Sequence, residues 1–257
     1  MTSGVRIERV AIAGARGQMG ALFARELHRC GCAVAAIDRP YTDEGLRAAL
    51  EGAQLAILSV PVTAMRAVTR RLAPHLTPGA ILMDLCSVKV NPVRAMLEGY
   101  AGPVVGTHPL FGPVIPEGFT PRVAVTPGRE NAAGDAAAAV SELMSRAGFA
   151  PFASTPEEHD RAMAAVQGLN FITTVAYLAA ARQTPGIENF RTPSFERRLE
   201  AARKMLTQDR ELFQLISEDN PFLQETVRQF TAYLDLAAGG DLDLLSARAS
   251  WWWRDTA

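Results

Sequence analysis

At 257 residues the chain is long enough for one large domain or two modest ones, each with its own core. A hydrophobic share of 48% beside 21% charged residues excludes wholesale disorder. The net charge of −1 supplies no electrostatic footprint for nucleic acid or for an anionic membrane, so the expected partner is a small molecule.

Cys30, Cys32 and Cys86 are too few and too irregularly spaced for a disulfide framework or a zinc site. No metal is expected, and Cys30 and Cys32 read as structural. The first residues carry Arg6 and Arg9 but no apolar signal core. No apolar run reads as long enough to cross a bilayer, so no membrane partner and a cytoplasmic location are expected.

Taken in chain order, the first half alternates short apolar runs with helical patterns, which predicts a mostly parallel, Rossmann-type α/β sheet wrapped by helices. Val10–Gly14 reads as a strand. Met19–Arg29 reads as a helix with Met19, Leu22, Phe23 and Leu27 on one face. Val34–Ile37, Leu55–Val60, Ile81–Leu85, Val104–Gly106 and Val123–Thr126 follow as strands, with helices such as Val62–Leu72 and Asn131–Ala147 between or after them. Beyond a short stretch at Gly148–Pro156 the pattern turns helical: Glu157–Arg182, Pro193–Ser217, Pro221–Ala238 and Leu242–Trp253, broken at Pro185-Gly186 and Gly239-Gly240. The expected division is therefore a dinucleotide-binding domain over 1–150 and an all-helical domain over 151–257. A small helical layer rich in Ala, Leu and Phe buries its apolar stripe well against a second copy, so a homodimer through that domain is expected. Trp251-Trp-Trp253 reads as packed core or dimer contact.

The turn Gly14-Ala15-Arg16-Gly17-Gln18-Met19-Gly20 joins the first strand to the first helix. A dinucleotide loop needs a backbone that approaches a pyrophosphate closely, which Gly17 allows, and tight helix–strand packing, which Gly20 allows. Ala15 stands where the first glycine of the fingerprint falls, with Gly14 beside it. The helix N-terminus offers free N–H groups and a positive dipole end to the phosphates. Asp38 ends the second strand about 20 residues on, where an acid accepts hydrogen bonds from the adenosine ribose and disfavours a 2′-phosphate. NAD is the expected cofactor, with Arg39 next door weakening the preference over NADP.

Three further motifs sit at strand ends, the side on which open α/β sheets bind ligands: Ser59-Val60-Pro61, Asp84-Leu-Cys-Ser87-Val-Lys89 and Gly106-Thr-His108-Pro-Leu-Phe-Gly-Pro113. With the glycine loop, and with Glu158-His159-Asp160, Val166-Gln167-Gly-Leu169 and Gln208-Asp209, they give the chain a close resemblance to the prephenate dehydrogenase family over nearly its whole length. It resembles the dehydrogenase part of the bifunctional chorismate mutase–prephenate dehydrogenases. The resemblance implies hydride transfer from ring carbon 4 of a cyclohexadienyl substrate to NAD, with loss of the ring carboxylate as carbon dioxide. It implies His108 as the catalytic histidine, suited by an unperturbed pKa of about 6.5 to accept a proton from the group on carbon 4. Ser87 would bond the same region and Lys89 would lie near the substrate. Gly14 to Gly20, Asp38, Arg39, Ser59, Val60, Pro61 and Asp84 would hold the cofactor. His159 matches a position whose role reads as structural.

Two positions leave the family pattern. Where the family has a histidine after Val-Gln-x-Leu-x, this chain has Phe171, with Asn170 the occupant if the register slips by one. Where it has an arginine before the Gln-Asp pair, this chain has Lys204, with Arg203 adjacent. Lys89 and Lys204 are the only lysines among 26 basic residues, so Lys204 is not mere composition. With Gln167, these residues form the expected substrate-binding set, and their change implies a changed substrate. The family includes dehydrogenases of 4-amino-4-deoxyprephenate from antibiotic pathways; prephenate and arogenate are the alternatives. Two other classes compete: a β-hydroxyacid dehydrogenase, disfavoured because no lysine lies between Lys89 and Lys204, and a non-catalytic NAD-binding protein, which would need neither His108 nor Ser87.

Overall fold

Short runs such as Leu55–Leu58 and Ile81–Asp84 are apolar at nearly every position because both faces of the sheet they form are covered. The computed structural model describes residues 6–130 and 134–253, backbone only at Glu211 and Leu212. The elements run β1 (Arg9–Ala13), α1 (Gln18–Arg29), β2 (Ala33–Ile37), α2 (Asp43–Leu50), β3 (Leu55–Leu58), α3 (Met65–Leu72), β4 (Ile81–Asp84), α4 (Val90–Gly99), β5 (Val104–Pro109), β6 (Arg122–Arg129), α5 (Ala136–Arg146) and β7 (Ala150–Ala153). They continue as α6 (Pro156–Met163), a π-helical stretch (Ala164–Leu169), α7 (Asn170–Ala181), α8 (Pro193–Thr207), α9 (Arg210–Asp219), α10 (Leu223–Ala238) and α11 (Leu242–Ala249).

The seven strands form one sheet in the order β2-β1-β3-β4-β5-β6-β7. All neighbours are parallel except β5 and β6. Because β2 and β3 lie on opposite sides of β1, the connections diverge there, and the crevice at the C-terminal ends of β1 and β3 is the topological switch point. Alternation along each strand feeds two cores. Ile12, Ile57, Met83 and Val105 pack with Phe23, Leu27 and Val140 on one face, while Ala11, Ala13, Leu58 and Leu82 pack with Leu46, Val68 and Met96 on the other. Each large buried side chain contributes about 1.5–3 kcal/mol of transfer free energy.

The chain divides into two compact units: residues through Met163 together with Glu218–Asn220, and Ala164–Ser217 together with Pro221–Ala257. The boundary expected at 150 falls inside the sheet. β7 pairs with β6 from Ala150 to Ala153, and Ala150 N–H donates to Pro121 O at 2.9 Å. With a proline among four residues that are half-buried or exposed, β7 has the composition of an edge strand and no apolar alternation to announce it. α6 also belongs to the first unit.

Several helices differ from the periodic reading. The run Glu157–Arg182 is interrupted by the π-helical turn over Ala164–Leu169, and Pro193–Ser217 is split where Gln208 and Asp209 N–H both donate to Lys204 O. The start of the helix expected at Asn131 lies outside the described residues; α5 begins at Ala136. The segment Pro156–Ala181 is long and apolar enough by length and composition to cross a membrane, which corrects the expectation that no run is. Its first turns carry buried His159 and Asp160, hydrogen-bonded within the first unit.

Two glycines shape the switch point. Gly14, at φ +85°, would place a Cβ 2.2 Å from Ser59 O, and a Cβ on Gly20 would stand 2.1 Å from Gly14 O. Gly20→Ala therefore forces β1 and α1 apart, with an expected stability loss of about 2 kcal/mol or more in urea denaturation, accompanied by weaker NAD binding in calorimetry.

Candidate functional site

The loop after β1 presents a donor-rich surface at the switch point. Gly17 is the N-cap of α1, no side chain caps the helix, and no acid lies in its first turn, so the first-turn amides and the positive dipole end face outward. Gly14, not Ala15, supplies the left-handed turn that the fingerprint's first glycine provides. Arg16, Gly17 and Gln18 are exposed, and Met19 packs partly against the core. Asp38 follows β2 and takes the Arg16 backbone N–H at 3.2 Å, with the Arg16 guanidinium 3.8 Å from its other oxygen. Arg39 is exposed beside it. Ser59 is anchored by its N–H to Ala13 O at 2.8 Å, which sets Ser59, Val60 and Pro61 along the same crevice. This set fits a dinucleotide: glycines that let β1, α1 and the end of β3 pack closely, first-turn amides for phosphate, and a carboxylate for ribose.

Asp84 and Lys89 do not face outward, which corrects the direct cofactor and substrate contacts expected of them. Both side chains are fully buried and paired with each other. Lys89 Nζ also donates to Thr107 O at 2.6 Å, and Asp84 accepts from Cys86 N–H at 2.9 Å and Thr107 N–H at 3.2 Å. Two of the three ammonium donors and both carboxylate oxygens are thus engaged by the ends of β4 and β5. Cys86 sits against this pair, and burial pushes its thiol well above the usual range, the Asp84 carboxylate adding to the effect. Ser87 is half-buried on the loop that the pair braces.

The bracing positions His108 near the end of β5, 3% exposed. Its Nδ1 lies 2.9 Å from His159 Nε2, and His159 Nδ1 lies 2.8 Å from Asp160 Oδ1. The carboxylate only accepts, so His159 donates from Nδ1 and, in the neutral pair, receives the His108 Nδ1–H at Nε2. The tautomers follow from these partners. His108 Nε2 is left as the acceptor. Burial holds the His108 pKa well below 6.5, with His159 and then Lys89 adding to the effect, so its ring is neutral at pH 7.

Asp160 is fixed in turn. It accepts Lys89 N–H at 2.7 Å and Val90 N–H at 2.8 Å, closing the N-terminus of α4. Asn220 donates to its backbone carbonyl at 2.8 Å. A capping box at the start of α6, Glu158 N–H to Thr155 Oγ1 and Thr155 N–H to the Glu158 carboxylate, sets the helix phase. The sequence reading assigned His159 a structural place and missed Asp160, Thr107 and Asn220. The available signal was the Thr-x-x-Glu-His-Asp run, which places two chemistry-bearing side chains at the first turn of a capped helix.

The remaining expected substrate residues lie in the second unit. Phe171 stacks on Phe213, ring centroids 5.5 Å apart at 17°, while Asn170 is exposed beside it. Gln167 lies in the π-helical turn with a buried Oε1 that has no hydrogen-bond partner. Lys204 Nζ is 3.5 Å from Asp209 Oδ2, and Arg203 is 3.9 Å from Glu200 on an exposed stretch of α8.

Comparison with known proteins bears on this frame. The family model for the prephenate dehydrogenase nucleotide-binding domain matches residues 28–125. The chain is 30% identical over 259 residues to the T-protein of Enterobacter agglomerans, covering 96% of this chain and 68% of that protein. It is 27% identical over 241 residues to the probable arogenate/prephenate dehydrogenase of Methanocaldococcus jannaschii, covering 86% of this chain but only 54% of the relative, so it spans about half that protein's length. Among solved structures, the A. aeolicus prephenate dehydrogenase in complex with hydroxyphenyl propionate and NAD+ superposes with a TM-score of 0.74 at 20% identity, covering 96% of both chains; at that identity the likeness carries the fold.

Lys89→Met strands a buried carboxylate, so it should cost about 3–5 kcal/mol in urea denaturation, with Asp84→Asn in the same chain recovering part of the loss. The low His108 pKa also fixes a pH slope. Above about pH 6.5 the ring is neutral folded or unfolded; below it the unfolded chain takes up the proton first, so stability falls as pH falls. The drop in urea midpoint from pH 7.5 to 5.5 should be larger in the wild type than in His108→Gln.

Proposed function

The chain belongs to the prephenate dehydrogenase family, and we propose that it is an NAD-dependent oxidoreductase. The reaction removes a hydride from ring carbon 4 of a prephenate-type cyclohexadienyl substrate while the ring carboxylate leaves as carbon dioxide. The observation that carries this reading is the Asp160–His159–His108 chain, which leaves one imidazole nitrogen as an acceptor near the C-terminal end of β5, on the same edge of the parallel sheet as the dinucleotide crevice. NAD, when bound, supplies the acceptor for the hydride. The glycine loop and the α1 amides would hold its pyrophosphate, and Asp38 its adenosine ribose.

His108 Nε2 accepts the hydrogen of the group on carbon 4, whose acidity rises as the hydride departs. Its low pKa keeps it in the accepting form at neutral pH. The positive charge that develops on His108 is shared through its Nδ1–H with His159 and, behind it, with the Asp160 carboxylate. Ser87 is the second group for that region. Aromatisation of the ring drives the step.

For the substrate we favour 4-amino-4-deoxyprephenate, giving 4-aminophenylpyruvate. Two substitutions support this: Phe171, stacked on Phe213, offers no hydrogen bond where the family has a histidine, and Lys204 offers a point charge in place of the planar fork of arginine. Tyrosine-pathway substrates, prephenate or arogenate, have equal support from the comparisons. We also favour a homodimer through the helical unit. Tyr233, Leu234, Leu236, Leu242, Leu244 and Trp252 of α10, α11 and the residues after them are all at least 43% exposed, an apolar surface suited to a second copy.

The purified protein assayed with NAD and each of the three substrates should show its highest kcat/KM on the amino compound; faster turnover of prephenate or arogenate overturns that choice. Phe171→His should raise prephenate turnover. His108→Ala should lower kcat about 10²–10⁴-fold on every substrate while leaving NAD affinity intact.

A further inference from the structure

At the opposite end of α1 from the glycine loop, Cys30-Gly31-Cys32 turns the chain into β2. The two sulfurs lie 3.9 Å apart, in contact without a bond. Gly31, at φ +91°, makes the turn, and no atom beyond its chain neighbours Cys30 and Cys32 lies within 4 Å of where its Cβ would be, so the rest of the protein leaves the turn room to shift. Cys30 is half-buried and lines an open cavity of about 400 Å³ with Glu26, Arg29, Ile115 and Arg146 among its walls. Cys32 is buried, 2% exposed, and the Arg146 guanidinium reaches its sulfur at 3.3 Å. Cys30 thus lines an open face with its thiol donated to Leu27 O at 3.2 Å, a second thiol stands behind it in contact, and a fixed cation stands at the second.

We propose that Cys30 and Cys32 are a reversible dithiol–disulfide pair, oxidised by a small disulfide of the glutathione type that enters through this cavity. Cys30 gives its proton to solvent, and its thiolate attacks one sulfur of glutathione disulfide. A mixed disulfide forms on Cys30 and one glutathione thiolate leaves. Cys32 then loses its proton and attacks the Cys30 sulfur, so the intramolecular bond forms and the second glutathione leaves. Two protein thiols are oxidised and one glutathione disulfide is reduced to two glutathiones. The order of attack follows from access. Burial raises the Cys32 pKa, the neighbouring Cys30 adds to this, and Arg146 opposes it, so Cys32 acts second. A disulfide bond is about 2.05 Å long, so the sulfurs close by about 2 Å through side-chain rotation and movement at Gly31.

The test uses the full chain in glutathione redox buffers, quenched with iodoacetamide under denaturing conditions and read by peptide mass. In oxidising buffer the peptide holding both cysteines should be lighter by two hydrogens and take up no iodoacetamide, while Cys86, at the other end of the sheet, stays alkylated. Dithiothreitol should restore two alkylation sites. Cys32→Ser should instead keep glutathione on Cys30. A wild-type chain that retains glutathione on Cys30 with Cys32 still alkylatable, or that does not react, overturns the proposal.

Discussion

One carboxylate holds the candidate site together. Asp160 accepts two backbone amides at the start of α4 and the Nδ1–H of His159, and its own carbonyl takes the amide of Asn220. Hydrogen bonds to a charged group are worth about 1.5–3 kcal/mol each, more than neutral ones, and a buried donor left without its acceptor costs a similar amount. The same atoms therefore cap a helix, set the tautomer of one histidine and, through it, leave the second with a lone pair to offer. Helix geometry and proton chemistry cannot be separated here.

The Asp84–Lys89 pair is the second fixed point, and it accounts for a lysine in a chain that otherwise favours arginine. Lys89 is fully enclosed, and a Cβ built on Gly106 would come within 3.3 Å of its Cδ. The space admits a slim stem ending in a compact ammonium that meets Asp84 and Thr107 O; a planar guanidinium with five donors would leave several unsatisfied. A buried ion pair adds little net stability, but it ties the end of β4 to the end of β5 and so fixes the loop carrying Ser87 next to the strand carrying His108.

Much of this architecture is legible from sequence because burial on both faces writes a continuous apolar run. The strands from Val10 to Val105 carry such runs, and the glycine loop and Asp38 carry a motif whose spacing is read from the sequence instead. β7 does not stand out, since four residues of Ala-Pro-Phe-Ala show no alternation and a proline inside the run argues against a strand. The π-helical turn is invisible for another reason: Ala164–Leu169 has the composition of an ordinary helix, and the close packing of Gly168 against Leu223 is a contact across 55 residues of sequence. Motif residues mislead in a third way. A motif says that Asp84 and Lys89 matter without saying whether they face a ligand or each other. His159 reaches its role by meeting a residue 51 positions away, a distance over which local periodicity carries no information.

The return of Glu218–Asn220 to the first unit bears on how such chains can recombine. A helical half grafted from a relative at Ala164 would bring its own residues at 219 and 220. The first unit would thereby exchange the Asn220 amide on Asp160 and the Asp219 that receives Asn91 Nδ2. The chain is thus not two cassettes in series.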